Sequence, residues 1–583
     1  MRERDMKNLK VKPTLLSVLI AGVVLTACHS GRDDDAINTG VISAATDSPM
    51  LLEGENRNSR EIEEVVVTAQ RAERVDGNVS IEMAASSSAM LPGPMLSMLQ
   101  DAIYWPEAGS ENYAAFDDSG IQRVLENAVS TFSIDVDTGA YSNVRRMLNQ
   151  GYLPPADAVR AEELINYFSY DYPVSDASVP FSFMTEISVS PWNTGKHLLH
   201  IGIKANESQD ADELHSNLVF LVDVSGSMNS PDKLELLKTS LKMLSRQLSA
   251  EDSVALVVYA GASGVVLEPA AGNETREISA ALDRLQAGGS TNGEAGILLA
   301  YAMAEQAFIE DGVNRVILAT DGDFNVGMSG VDALKELIEE KRESGISLTT
   351  LGFGSGNYND HMMEQLADTG NGNYAYIDNI NEARKVLVDE MHSTLQTVAK
   401  DVKIQIEFNP ALVAEYRLVG YENRELARED FNNDQVDAGE IGAGHTVTAI
   451  YEIALVGSES LSTDPLRYAQ DNDQGNAVNA ENVDELAFLK LRYKEPDSDE
   501  SILLQRALMV DDISEDIAST SDNYRFSAAV AGLAQLLRGS DQTSTLDYDT
   551  VISLAQSAKG EDEFGYRSEF IQLVRSAQAL SIN

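Results

Sequence analysis

Leu218-Val-Phe-Leu-Val-Asp223-Val-Ser225-Gly-Ser227 is the stretch on which the fold turns. Five consecutive apolar residues run directly into one carboxylate and two hydroxyls. A strand with one wet face alternates apolar and polar residues, whereas an unbroken apolar run marks a strand covered on both faces. Three further runs have this character: Ser253-Val-Ala-Leu-Val-Val258, Arg315-Val-Ile-Leu-Ala319 and Ile346-Ser-Leu-Thr-Thr-Leu351. Helical patterns separate them. Buried strands alternating with helices predict an α/β unit with a doubly wound, mostly parallel sheet.

Ligand sites in open α/β sheets lie at the carboxyl ends of the strands. Asp223-Val-Ser225-Gly-Ser227 sits at such an end, and so does Ala319-Thr-Asp321-Gly322. Between them, Gly288-Gly-Ser-Thr291-Asn292 leads into a helical pattern. In type and order these residues match the metal-ion-dependent adhesion site of von Willebrand factor type A domains, and the resemblance covers all five expected positions. It implies a divalent cation, Mg²⁺ or else Mn²⁺ or Ca²⁺, with Ser225 and Ser227 as direct ligands. Thr291 is implied as a ligand directly or through one water, and Asp223 and Asp321 as carboxylates that orient coordinated water. Hard cations of this kind prefer oxygen donors. Neutral hydroxyls leave the metal short of negative charge, so the implied partner is a protein or other macromolecule offering an exposed carboxylate.

The flanks of this unit have a different periodicity. Val402, Ile404, Ile406 and Phe408 alternate with Lys403, Gln405 and Glu407. Residues 181–189, 198–204, 446–455 and 486–494 are further strand candidates, and 157–168 reads as a helix. Amphipathic strands on both sides predict that the α/β unit is inserted into one β-rich domain, since domain termini often lie close together. Residues 501–582 read as mostly helical. The expected organisation is 1–27 leader, 28–110 flexible tether, 111–216 N-terminal extension with a β-rich part, 217–397 type A domain, 398–500 β-rich domain and 501–583 helical region.

At the N-terminus, Arg2, Arg4, Lys7, Lys10 and Lys12 precede an apolar run that ends in Leu25-Thr-Ala-Cys28. A charged start followed by a short apolar stretch is a signal-peptide pattern. Its end resembles the bacterial lipobox, which implies lipidation of Cys28 and a membrane anchor through that lipid. Cys28 is the one cysteine of the chain, so intramolecular disulfides and Cys-based zinc sites are excluded. His29 stands where an Asp would signal inner-membrane retention, so the expected location is the bacterial cell envelope at the outer membrane. The tether carries one β-prone island, Glu61-Ile-Glu-Glu-Val-Val-Val-Thr-Ala-Gln-Arg71, similar to the segment that opens the plug of TonB-dependent receptors. No barrel-like series of strands follows it.

The 583 residues include 93 acidic and 43 basic side chains, a formal charge of -50. Such a chain repels phosphate backbones, so no nucleic-acid partner is expected. Ser130-Thr-Phe-Ser-Ile-Asp-Val-Asp137, Pro191-Trp-Asn193, Gly352-Phe-Gly-Ser-Gly-Asn-Tyr358 and Gly439-Glu-Ile-Gly-Ala-Gly-His445 extend the resemblance to a bacterial type A domain lipoprotein family, YfbK-like, over about residues 111–580.

Other motifs fall away. Asp135-Val-Asp137 has the spacing that opens haloacid-dehalogenase phosphatases, but Gly139 stands where their Thr belongs. Asp430, Asn432 and Asp434 have calcium-loop spacing, but Gln435 replaces the turn glycine and Ile441 the bidentate Glu. His197 and His200 lie three apart on a strand and so face opposite sides. There is no zinc-protease helix motif, nucleophile elbow or phosphate-binding loop, and no base adjoins Ser225 or Ser227 in sequence. The expectation is a lipid-anchored envelope binding protein and not an enzyme. The alternatives are a periplasmic scaffold or assembly factor and, second, an enzyme of unknown reaction.

Overall fold

The computed structural model describes residues 111–582, apart from 175–178, 207–213, 323, 325–329, 357, 392–395, 465–482, 497 and 544. Cys28 and the 61–71 island lie outside the described residues.

The α/β unit has a six-stranded sheet in the order Tyr374–Ile377, Ser347–Phe353, Val313–Thr320, Ser216–Asp223, Ser253–Tyr259, Ser263–Ala271. The first five strands are parallel, and Ser263–Ala271 closes one edge antiparallel to Ser253–Tyr259. Ser216–Asp223 is central and buried along its whole length. Leu218, Phe220 and Val222 pack into the layer that holds helix Leu236–Leu244. Val219 and Leu221 pack into the opposite layer with helix Gly293–Gln306. Two covered faces account for the unbroken apolar run.

The flanking strands do share one domain. Asn193–Ala205, N-terminal to the insert, pairs antiparallel with Thr446–Leu455, C-terminal to it, with Ile201 opposite Ala449. Together with Phe181–Ser190, Val413–Val419 and the short pieces Gln122–Arg123 and Ile513–Ser514 they form one six-stranded sheet. The second sheet contains Gly439–Gly442, Thr397–Phe408, Glu485–Lys494 and Ser501–Met509, with Val129–Ser133 also paired to Thr397–Phe408. Leu199, Ile201 and Ile203 meet Ile404, Ile406 and Phe408 in the core between the sheets. The apolar members of the 402–408 alternation do face this core, but the strand is not half-buried as its period predicts: Lys403 and Gln405 are buried on the other face, bonded to the 430–433 carbonyls and to Thr131, and only Glu407 is exposed.

Two sequence readings need correction. Residues 501–509 are not helical but form a strand paired with Glu485–Lys494. The segment Ser-Ile-Leu-Leu-Gln-Arg-Ala-Leu-Met suits either state, and pairing with its neighbour settles it. Helix begins at Asp522, where the Ser521 side chain accepts the Tyr524 N–H, and ends at Gly539 in the left-handed region. Residues 157–168 are not one helix either. A short 3₁₀ turn, Ala156–Ala158, and helix Ala161–Asn166 are separated by extended backbone at Val159 and Arg160. That break carries Arg160 into a buried cluster of carboxylates, with Asp360 at 2.7 Å.

Helices Asp522–Arg538, Tyr548–Ser557 and Tyr566–Ser581 share a core with helices Gly139–Asn149 and Ala161–Asn166 of the N-terminal extension. This layer covers the outer face of the first sheet, where His200 hydrogen-bonds Ser527 at 2.9 Å and Tyr172 at 2.8 Å. Among the described residues no helix is long and apolar enough to cross a membrane.

Buried arginines fix the extension to the α/β unit. Arg145 pairs with Asp378 and with Glu382, the latter at 2.7 Å. Arg424 reaches Asp368 at 2.8 Å, Asp137 at 3.3 Å and Asp135 at 3.4 Å. The D-x-D motif of the extension thus serves an ion-pair cluster. The 430–434 loop is structural too: its backbone carbonyls accept from Lys403 and Lys494.

Candidate metal-binding edge

Three strand-to-helix loops meet at the carboxyl edge of the α/β sheet. The first follows Ser216–Asp223. Asp223 is fully buried, and both its oxygens are engaged. Oδ1 accepts the Ser225 backbone N–H at 2.8 Å, and Oδ2 accepts the hydroxyls of Thr320 at 2.9 Å and Tyr259 at 3.2 Å. This clamp turns the chain so that the Ser225 and Ser227 hydroxyls lie 2.9 Å apart. Ser225 is buried and Ser227 is exposed, so the pair forms a floor and a rim.

The second loop is docked on the first through backbone. Gly226 N–H donates to Gly289 O at 3.1 Å and Gly288 N–H to Val224 O at 2.8 Å. Gly289 adopts φ +92°, so its own lack of a side chain permits the turn. Thr291 follows, half-buried, and its hydroxyl bonds none of the other four predicted residues. The structure brings its loop to the site without engaging its side chain.

The third loop holds Asp321, which is 2% exposed. Its Oδ2 accepts from Lys233 Nζ at 2.9 Å, whereas its Oδ1 is buried without a hydrogen-bond partner. Gly322 follows at φ +89°, where a side chain would collide with Tyr358 and the Asn359 backbone. Burial pushes the Asp223 carboxyl above its usual range; the Ser225 N–H opposes this, and the charge of Asp321 adds to the rise. Two buried carboxylates therefore lie within reach of each other's charge, and one buried lysine pairs with Asp321.

The donor set fits a hard divalent cation. The atoms offered at this edge are hydroxyl and carboxylate oxygens, and Asp321 Oδ1 is one of several buried carboxylate oxygens, with Asp360 Oδ2 and Glu382 Oε1, that have no hydrogen-bond partner. Among the described residues no group of three or more His, Cys, Asp and Glu could hold a metal ion, so hydroxyls would have to complete any such shell.

Sequence reasoning missed Lys233, Thr320 and Tyr259. Lys233 carried a signal: it stands four residues before Leu237 and eight before Leu241, in the π-helical turn Pro231–Glu235 that leads into their helix, and like them it is buried. A lysine in an apolar stripe is there to meet a buried charge.

Comparison with known proteins bears on the family of the chain. The family model for the von Willebrand factor type A domain matches residues 217–389. A model described as von Willebrand factor matches 107–200, and one described as the C-terminal part of uncharacterized protein YfbK matches 393–580. Uncharacterized protein YfbK of Escherichia coli (strain K12) is 48% identical over 480 residues, covering 81% of this chain and 82% of that protein. Inter-alpha-trypsin inhibitor heavy chain H3 of Homo sapiens is 25% identical over 264 residues, 41% of this chain and 28% of that one. Among solved structures, a von Willebrand factor type A protein from Catenulispora acidiphila is 16% identical, covering 68% of this chain and 89% of its own, with a TM-score of 0.39.

Proposed function

Because the chain belongs to the YfbK-like family of bacterial von Willebrand factor type A proteins, we propose that it is a lipid-anchored binding protein of the cell envelope that engages an acidic group of a macromolecular partner through a divalent cation. The observation that carries this reading is the pairing of the Ser225 and Ser227 hydroxyls on a loop that Asp223 ties to Thr320, the residue before Asp321, whose Oδ1 is buried and unpartnered. In this reading Ser225, Ser227 and Thr291 hold the ion, and Asp223 and Asp321 orient its water and balance its charge. When bound, Mg²⁺ supplies a positive centre with room for a carboxylate from outside. Asp223 keeps the first loop in shape through Ser225, Thr320 and Tyr259. The docked second loop brings Thr291 to the rim. Resemblance to interaction modules such as the inter-alpha-trypsin inhibitor heavy chains supports binding as the activity.

Anchoring rests on the Leu25-Thr-Ala-Cys28 motif. A bacterial lipoprotein carries several acyl chains, which hold a protein to a bilayer where a single chain is marginal. The outer membrane is the proposed location.

The test is an affinity capture from envelope extracts with wild type, Ser227→Ala and Asp321→Ala, each in Mg²⁺ and in chelator. A partner held by the wild type in Mg²⁺ alone, and by neither variant, is the expected result. Equal capture in all conditions overturns metal-mediated binding. For the anchor, Cys28→Ser is expected to leave the membrane fraction after a high-salt wash, and retention there overturns lipidation at Cys28.

A further inference from the structure

We propose that Lys233 is a specificity-determining residue, favouring Mg²⁺ over Ca²⁺ by leaving Asp321 a single oxygen to offer. The inference rests on the reading of this edge as a metal site and deepens it.

The lysine is pinned at both ends. Its Nζ lies 2.9 Å from Asp321 Oδ2, and the side chains of both residues are buried. Its aliphatic stem lies against Gly354, where a Cβ would strike Lys233 Cγ, Cδ and Cε. Gly354 has φ +73° in the Gly-Phe-Gly-Ser-Gly loop that follows strand Ser347–Phe353. This packing and the ion pair together favour one placement of the ammonium, against Asp321 Oδ2.

The remaining carboxylate chemistry is then restricted. Asp321 Oδ1 is the buried atom without a hydrogen-bond partner, whereas Oδ2 faces the Lys233 ammonium. Asp223 has Oδ1 accepting from Ser225, and its Oδ2 accepts from both Thr320 and Tyr259, which fills its two lone pairs. Asp223 therefore cannot chelate an ion with both oxygens without breaking a buried hydrogen bond, and a cation drawn onto both oxygens of Asp321 would be repelled by the ammonium beside Oδ2. Ca²⁺ takes six to eight oxygens and often uses bidentate carboxylates, whereas Mg²⁺ takes six in an octahedron, one from each donor, and retains waters. A site restricted to hydroxyls and single carboxylate oxygens suits the smaller ion. The ammonium also cancels one of the two carboxylate charges, and lower ligand charge weakens Ca²⁺ sites.

The experiment uses the full-length protein, stripped of metal and titrated calorimetrically with Mg²⁺ and with Ca²⁺ separately. A chain this acidic binds cations elsewhere, so binding at the site is defined as the part lost in Ser227→Ala. Wild type is expected to prefer Mg²⁺ at that site. Lys233→Met keeps the stem against Gly354 and frees Asp321 Oδ2, and it is expected to shift the Ca²⁺-to-Mg²⁺ affinity ratio toward Ca²⁺ by about tenfold. Lys233→Gln should shift it likewise, and Lys233→Arg, which keeps the ion pair, should leave it near wild type. Near-UV circular dichroism checks that each variant is folded. An unchanged ratio in folded Met and Gln variants, with Ser227-dependent binding intact, overturns the role of Lys233 and leaves the metal site standing. Absence of any Ser227-dependent binding in wild type overturns the metal site itself.

Discussion

The carboxyl edge of the α/β sheet has two halves that treat acidic side chains in opposite ways. Beside strands Ser347–Phe353 and Tyr374–Ile377, Asp360, Asp378 and Glu382 are buried against arginines of the N-terminal extension. Beside strands Ser216–Asp223 and Val313–Thr320, among the described residues, no arginine pairs with Asp223 or Asp321; a lysine reaches Asp321 Oδ2, and Asp321 Oδ1 is buried without a hydrogen-bond partner. The first half meets its charges with arginines, although Asp360 Oδ2 and Glu382 Oε1 also lack a hydrogen-bond partner, and the second meets them with hydroxyls, a backbone N–H and one lysine. Among the described residues the arginines of the extension reach the first half. Glu111, the first described residue, accepts from Arg146 at 2.9 Å and from the Gly356 backbone at 3.1 Å, at the border between them.

The most severe way to break this contrast is to unpair the closed half. Arg145→Met strands Asp378 and Glu382 in the interior, and removing one partner of a buried pair costs about 3–5 kcal/mol. Urea denaturation should therefore show a much lower midpoint. A midpoint within error of wild type would mean that the seam is not a rigid attachment.

Next in size is the response of the open half to its ion. Mg²⁺ at a hundred times its dissociation constant is expected to stabilise the wild type by about 2.7 kcal/mol. Thermal melting measures it, and Ser227→Ala should show no such response. An equal rise in the variant would place the effect elsewhere on this acidic surface.

A third test asks whether buried polar groups away from this edge are also satisfied without an outside ion. Burial pushes His200 down to about 3 and His445 down to about 4. Both are neutral in the fold at pH 6, while in the unfolded chain each protonates near its ordinary value of about 6.5. The unfolded state then binds more protons, so stability is lost as pH falls below that value. For His200 the loss approaches about 1.4 kcal/mol per pH unit. Denaturation midpoints of His200→Gln between pH 7 and 4.5 should fall less steeply than those of wild type, and parallel slopes would contradict a neutral buried imidazole.

The smallest effect is the most diagnostic. In chelator, Ser227→Ala should change stability by no more than about 0.5 kcal/mol, since an exposed hydroxyl holds little of the fold. A larger loss in the urea midpoint would move Ser227 into the structural half of the comparison.

These differences follow physical lines that also decide what the sequence reveals. Four of the five parallel strands were legible because two covered faces demand unbroken apolar runs; the short edge strand Tyr374–Ile377 was not read. Val413–Val419 was passed over although Glu415-Tyr-Arg-Leu418 alternates as a strand does; what the alternation could not show is that Glu415 and Arg417 are buried too, with Arg417 bonded to Glu452 and Gln535. Ser263–Ala271 was hidden by its half-exposed edge position and by Gly264 and Pro269. At the candidate site, Asp223, Ser225, Ser227, Thr291 and Asp321 are recognisable because they follow strand ends at characteristic spacing. Lys233 escaped because its importance comes from a residue 88 positions later, and only folding brings the two together.

The inserted position of the α/β unit has a consequence for the order of events as the chain leaves the ribosome. Asn193–Ala205 is made early, but one of its two flanking partners, Thr446–Leu455, follows only after the whole insert. Strands Ser216–Asp223, Ser253–Tyr259 and Val313–Thr320 find their neighbours within the insert. Contacts between segments near in sequence form fastest, and distant pairings wait on loop closure. The insert is therefore expected to complete first and hold the two halves of the sandwich close enough to join, acting as the brace around which its own host assembles. Pulse-labelling hydrogen exchange during refolding would read this directly, as protection at Leu218–Val222 preceding protection at Val447–Ile453.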